Sequence, residues 1–170
     1  MSISICQRTL IELLHGKGAH ASPIASVQGI PAELAGRRLE GYPHSIFQIL
    51  SHMNYWMDYE VQRMRGESPT YPAHATESWP THSSPANETE WKQTVARFAA
   101  LIDDLSKLAQ SDTEFLNREV NATHAVHSQI SSSVLAVLWQ TAMHNSYHIG
   151  QIVLLRLLLN CWPAQARDTW

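Results

Sequence analysis

The sequence predicts an all-α protein, a four-helix bundle with a long connection between its first and second helices. Three observations lead there. Apolar residues recur at three- and four-residue steps in four separate stretches, the period of one helix face. Ser, Asn, Gly and Pro stand where those stretches begin and end. No run rich in Val, Ile and Thr alternates long enough to build a sheet.

The first stretch spans about 2–15, with Ile3, Cys6, Leu10, Leu13 and Leu14 on one stripe. The second follows Gly41-Tyr42-Pro43, ends near Gly66, and carries Ile46, Ile49, Leu50, Met53, Trp56, Met57 and Met64. The third opens at Asn87 with Glu90 three residues on, a variant of the capping box. Its apolar side is Trp91, Val95, Phe98, Ile102, Leu105 and Ala109, and its solvated side carries Lys92, Arg97, Asp103, Asp104 and Lys107. The fourth opens at Ser131-Ser132-Ser133 and reaches about Asn160, with Pro163 beyond.

The connections are uneven. Between the first two helices lie Pro23, Gly29, Pro31, Gly36 and Gly41, with room for a short helix at about 32–38. The stretch 68–86 holds Pro69, Pro72, Pro80 and Pro85 and reads as irregular chain. Loops of that length in a compact domain are usually functional or mobile. Within 111–130, Phe115-Leu116 can dock and Glu119-Val120 can extend.

A chain of 170 residues is expected to form one domain, 1–170. With 44% hydrophobic and 16% charged residues it is neither a disordered tail nor a coiled-coil rod. Its net charge of −3 argues against a basic nucleic-acid-binding face. No apolar run approaches the ~18 residues of a membrane span; the run 152–159 is broken by Arg156. The first residues lack a basic segment and a small-residue cleavage site, so no signal peptide is expected. Cys6 and Cys161 are too few for a disulfide scaffold and have no local catalytic partner. The expected location is the cytoplasm.

The 10 histidines stand out. His144 and His148 lie four residues apart, one above the other on a helix, so both imidazoles can reach one metal ion. Chance alone gives about 0.6 such pairs in this composition, so spacing is a weak signal by itself. Asn145 follows the first His, which excludes the zinc-protease motif. Placement adds weight. At ~100° per residue, Val137, Gln140, Thr141, His144, His148, Gln151, Ile152 and Leu155 share one side. A buried imidazole must satisfy its nitrogens. A metal does so; hydrogen bonds to a backbone carbonyl, Gln140 or Gln151 would do so too. His52, well inside the second helix, is the best third ligand. His44, at that helix's first turn, reads as exposed or capping, and His15, His20, His74, His82, His124 and His127 as solvated.

The block HSIFQILSHMNYW (44–56), followed far downstream by HNSYHIGQI (144–152), resembles the DinB/YfiT-like proteins. The resemblance covers essentially the whole chain, including Trp162-Pro163 and the terminal Asp168-Thr169-Trp170. It implies a four-helix bundle in which His52, His144 and His148 hold a metal, with Gly150-Gln151 matching the family's Gly-Gln pair. Ile149 stands where many members carry Arg. The family implies a metal-dependent enzyme, either a hydrolase or a transferase using a low-molecular-weight thiol such as bacillithiol, mycothiol or glutathione.

Three neutral imidazoles would leave a divalent ion its full charge and an open position, the catalytic arrangement. Such an ion acidifies bound water or thiol and polarises a carbonyl. Imidazole suits several metals, zinc and nickel foremost here. No general base is identifiable; Tyr55, Tyr59 and Tyr147 read as core or rim. Gly150, inside a helix, reads either as a close approach by ligand or backbone or as tight helix packing. Leu135, Trp139, Ala142, Val153 and Leu157 lie opposite the histidine stripe, so that side is expected to be covered as well, by loops or by a second copy in a homodimer. The alternatives to an enzyme acting on a small molecule are a non-catalytic metal-binding protein and a stress-response interaction protein.

Overall fold

The computed structural model describes residues 4–120 and 132–163. The chain is mostly helical, as its periodicity predicts. Ser4 accepts from the Gln7 N–H at 3.2 Å while the Gln7 side chain accepts from the Ser4 N–H at 3.0 Å. This reciprocal cap satisfies two donors that a helix start leaves open, and α1 runs Ile5–Leu14 from it. Two short helices follow, α2 (Pro23–Val27) and α3 (Ala32–Gly36). Helix α3 falls where a short helix is expected. Helix α2 was not expected from the sequence, although Ser22 before Pro23 is a start signal.

Ser45 and Gln48 form a second reciprocal cap, both bonds 3.1 Å, and open α4 (Ile46–Arg65). Gly66 ends it at φ 93°, a left-handed conformation that costs glycine little. Helix α5 (Glu88–Ala109) is capped by Asn87, whose Oδ1 accepts from the Glu90 N–H at 3.0 Å. The Glu90 carboxylate returns to the Ala86 N–H, one residue before the cap, rather than to the Asn87 N–H that the expected box would use. After α6 (Thr113–Asn117), β1 (Glu119–Val120) pairs antiparallel with β2 (Ser132–Ser133). Ser133 then caps α7 (Val134–Leu158). Ile3, His124, His127, Ser131 and the terminal Asp168-Thr169-Trp170, named above from the sequence, lie outside the described residues.

Helix α4 packs on both α5 and α7, and α1 packs on the same two. Between them Leu10, Leu50, Met53, Met57, Phe98, Leu101, Leu105, Leu138 and Ile149 are fully buried. Each such side chain contributes roughly 1.5–3 kcal/mol of burial. Among the described residues, no helix is long and apolar enough to cross a membrane.

Arg156, which interrupts the apolar run of α7, is 1% exposed. Its guanidinium donates to the carbonyls of Ala25 and Ser26 at 3.0 and 2.9 Å and to that of Cys161 at 2.8 Å. It thereby ties the end of α2 to the end of α7 and sits over the Trp162 ring at 5.2 Å.

Two expectations for α7 need correction. Leu135, Trp139, Ala142 and Val153 are covered as expected, by this chain's own core, but Leu157 of the same side is exposed. The exposed apolar residues of α7 are Met143, Tyr147, Leu154, Leu157 and Leu158. Gly150 has nothing within 4 Å of where a Cβ would stand, so neither tight packing nor a close approach within the chain explains it.

The stretch 68–86 is irregular apart from a 3-10 turn, Ala75–Ser78. It is nonetheless pinned. Ser45 Oγ donates to the Ser83 carbonyl at 2.5 Å, Gln48 Nε2 to Pro80 at 3.2 Å, and Ser84 Oγ to Gly36 at 3.1 Å. The start of α4 and the end of α3 thus hold this loop beside the histidines.

Candidate metal centre

His52 comes from the middle of α4, and His144 and His148 from successive turns of α7. The packing of α4 on α7 brings together residues 92 positions apart in sequence. His144 Nε2 lies 3.3 Å from His52 Nε2 and 3.1 Å from His148 Nε2. One nitrogen from each ring falls within 4.8 Å of the other two, close enough to hold a metal ion.

The outer nitrogens are held as well. Ser78 Oγ donates to the Ala75 carbonyl at 2.7 Å, so toward His52 Nδ1, 3.0 Å away, it accepts. Gln151 Oε1 accepts from His148 Nδ1 at 2.7 Å. Both rings therefore carry their proton on Nδ1 and turn an Nε2 lone pair inward, the tautomer a ligating histidine needs. His144 Nε2 has at most one proton to offer those two lone pairs. The donor set fits a divalent cation, which accepts from all three nitrogens at once.

Burial keeps the rings neutral. It lowers the pKa of His52 to about 3, with the neighbouring His148 and His144 adding to the effect. Burial and His148 lower His144 to about 4. His148 is lowered too, chiefly by burial, with the Gln151 bond opposing.

Trp79 forms one wall, stacking on His52 with centroids 3.8 Å apart and planes 11° apart. The same indole stacks on His44 at 3.7 Å. His44 is thus half-buried against the site rather than exposed, and among the described residues its Nδ1 has no partner. His20 is half-buried as well and contacts Ser146 Oγ at 2.9 Å; His15, His74 and His82 are exposed. Tyr59 is buried, its hydroxyl pKa raised by burial, and Tyr147 is exposed edge-on to His148 at 5.1 Å.

A cleft of about 200 Å³ opens beside His144, lined by Trp56, Glu60, Val137, Gln140 and Thr141. The helical projection anticipates its α7 wall. It does not anticipate Ser78, Trp79 or Glu60. Ser78 and Trp79 carry no motif, and only their position in a long proline-rich loop marked them.

A helical protein with three core imidazoles converging at metal-binding distance is the class that fold and site define. Residues 22–152, well over half of the chain, match the DinB superfamily, and the chain belongs to that superfamily. Comparison with curated proteins and with solved structures gave no match.

Proposed function

We propose that the chain is a divalent-metal-dependent enzyme, a hydrolase or a low-molecular-weight-thiol S-transferase, with His52, His144 and His148 as the metal ligands. The observation that carries this reading is the convergence of three Nε2 atoms, two with their outer nitrogens already pinned, at the edge of an open cleft. A closed structural site would need no cleft. A bound ion would supply Lewis acidity, acidifying a water or thiol and polarising a carbonyl. The chain's own residues do the rest. Ser78 and Gln151 fix the ring orientations, Trp79 shields His52 from water, and Trp56 and Val137 give the cleft its apolar walls.

Zinc or nickel is the proposed ion, since three nitrogen ligands suit both. The proposed architecture is a single-domain bundle of α1, α4, α5 and α7, working in the cytoplasm on a small molecule. We also propose a homodimer formed through Met143, Tyr147, Leu154, Leu157 and Leu158; a monomer mass in light scattering at micromolar concentration would overturn it. The enzymatic reading is tested by assaying esters, amides and electrophile–thiol pairs before chelation, after it, and after metal readdition. Turnover that is lost and restored supports it. Stoichiometric metal without turnover of any pair favours a metal-binding protein without catalysis.

A further inference from the structure

We propose that the cleft beside His144 selects ligands bearing an amine at the end away from the metal, and that Glu60 is the residue that recognises it. This inference rests on the metal-centred reading above and names the substrate class of that site.

The cleft has two chemically distinct ends. On α4, residues 52, 56 and 60 are successive rungs of one helix face, so Glu60 lies about 12 Å along the axis from His52. On α7, Val137 lies about 10 Å from His144 by the same rise. The lining residues therefore run from an imidazole of the cluster to a carboxylate roughly 10–12 Å away. Between them stand the apolar Trp56 and Val137 and the polar Gln140 and Thr141. At about 200 Å³ the space is smaller than a drug-sized site and suits a slender ligand.

Glu60 is the only carboxylate among those lining residues. Its Oε2 accepts from Arg63 Nη1 at 2.6 Å, and its side chain is 20% exposed. Among the described residues Oε1 has no partner, which leaves it as the acceptor Glu60 can offer a ligand. Burial pushes the Glu60 carboxyl above its usual range, with Arg63 opposing, as expected of a carboxylate largely withdrawn from water. A charged donor reaching such a group gains more than it would at an open surface. Glu60 could have paired with Arg63 on the outside of α4; its place in the wall of the cleft is what points to a ligand. A cation at the metal end and a carboxylate at the other favour a dipolar molecule with a metal-seeking head and an ammonium tail, and disfavour an anionic tail.

The test uses the zinc-loaded protein and two probes, 6-aminohexanohydroxamate and hexanohydroxamate. The hydroxamate head binds divalent ions whatever the reaction class, so the comparison isolates the tail. Metal content is measured on each sample and affinity by titration calorimetry. We expect the amine to tighten binding about tenfold in the parent, and the preference to vanish in Glu60→Gln with metal content and circular dichroism unchanged. In the parent alone, 3-aminopropanohydroxamate should gain nothing over propanohydroxamate, because its amine cannot reach Glu60. This length dependence decides the matter even if the variant does not fold. Equal affinities for the two six-carbon probes with zinc bound overturn the proposal while leaving the metal reading intact. A parent that takes up neither zinc nor nickel overturns both.

Discussion

Ser78 Oγ lies 3.0 Å from His52 Nδ1 and, because its single proton goes to the Ala75 carbonyl, it can only accept. A loop residue thereby fixes the tautomer of a helix residue 26 positions earlier. Gln151 does the same for His148 from one turn away. Removing either support should weaken metal binding without unfolding the protein. Ser78→Ala and Gln151→Ala are each expected to lower metal affinity about 10–100-fold, measured by competition with a chelating dye. Unchanged affinity in both would show that the outer bonds do not orient the rings.

The buried imidazoles make the metal-free protein sensitive to acid. His52 and His144 have folded pKa values of about 3 and about 4, against roughly 6.5 in an unfolded chain. Between those values the unfolded chain takes up protons that the folded one refuses. Stability is therefore fully present above pH 6.5 and lost as pH falls toward the folded values. A loss of about 2–3 kcal/mol is expected between pH 7 and 4.5, allowing for the coupling of the rings. Urea titrations across that range measure it, and His144→Gln should flatten the curve. A flat parent curve would place the histidines in water.

Two glycines should respond oppositely to alanine. A Cβ on Gly36 would stand 2.7 Å from Ser84 Cα, so Gly36→Ala must displace the loop that delivers Ser78 and Trp79. It should cost about 1–3 kcal/mol and lower metal affinity. At Gly150 nothing lies within 4 Å, and Gly150→Ala should stabilise the helix by about 0.5–1 kcal/mol. Thermal melts distinguish the two. A destabilised Gly150→Ala would mean that this face packs against a second copy.

Arg156 closes the far end of α7 on backbone carbonyls rather than on a carboxylate. Arg156→Ala strips hydrogen bonds from three buried or half-buried carbonyls and opens a cavity. A loss of about 3–5 kcal/mol is expected by chemical denaturation. A loss below about 1 kcal/mol would mean that water replaces the guanidinium at no cost.

Helical periodicity and the signals at the helix ends made α4, α5 and α7 legible to within a residue or two, because Pro43, Gly66, Asn87 and Ser133 act locally. The pairing of His144 with His148 was legible for the same reason: four residues make one turn. His52 required long-range packing, which no local pattern encodes, and its choice rested on placement within a helix and on family resemblance. Trp79 and Ser78 were invisible because a proline-rich loop has no period; its path is set by distant bonds to Ser45, Gln48 and Gly36. That Leu135, Trp139, Ala142 and Val153 form a second covered side of α7 was legible, but the choice between the chain itself and a second copy as the cover was not, because it depends on how distant elements pack. Glu60 carries no signal in the sequence, since only the meeting of α4 with α7 places it in a cleft wall.

Metal stoichiometry bears most directly on the three-histidine centre. It should be measured by plasma mass spectrometry on untagged protein, beside His52→Ala and His148→Ala variants that remain folded by circular dichroism. The predicted result is close to one divalent ion per chain in the parent and loss of that ion in both variants. A parent that holds no metal after incubation with zinc and nickel, or variants that retain the parent's content, would contradict the assignment of His52, His144 and His148 as ligands.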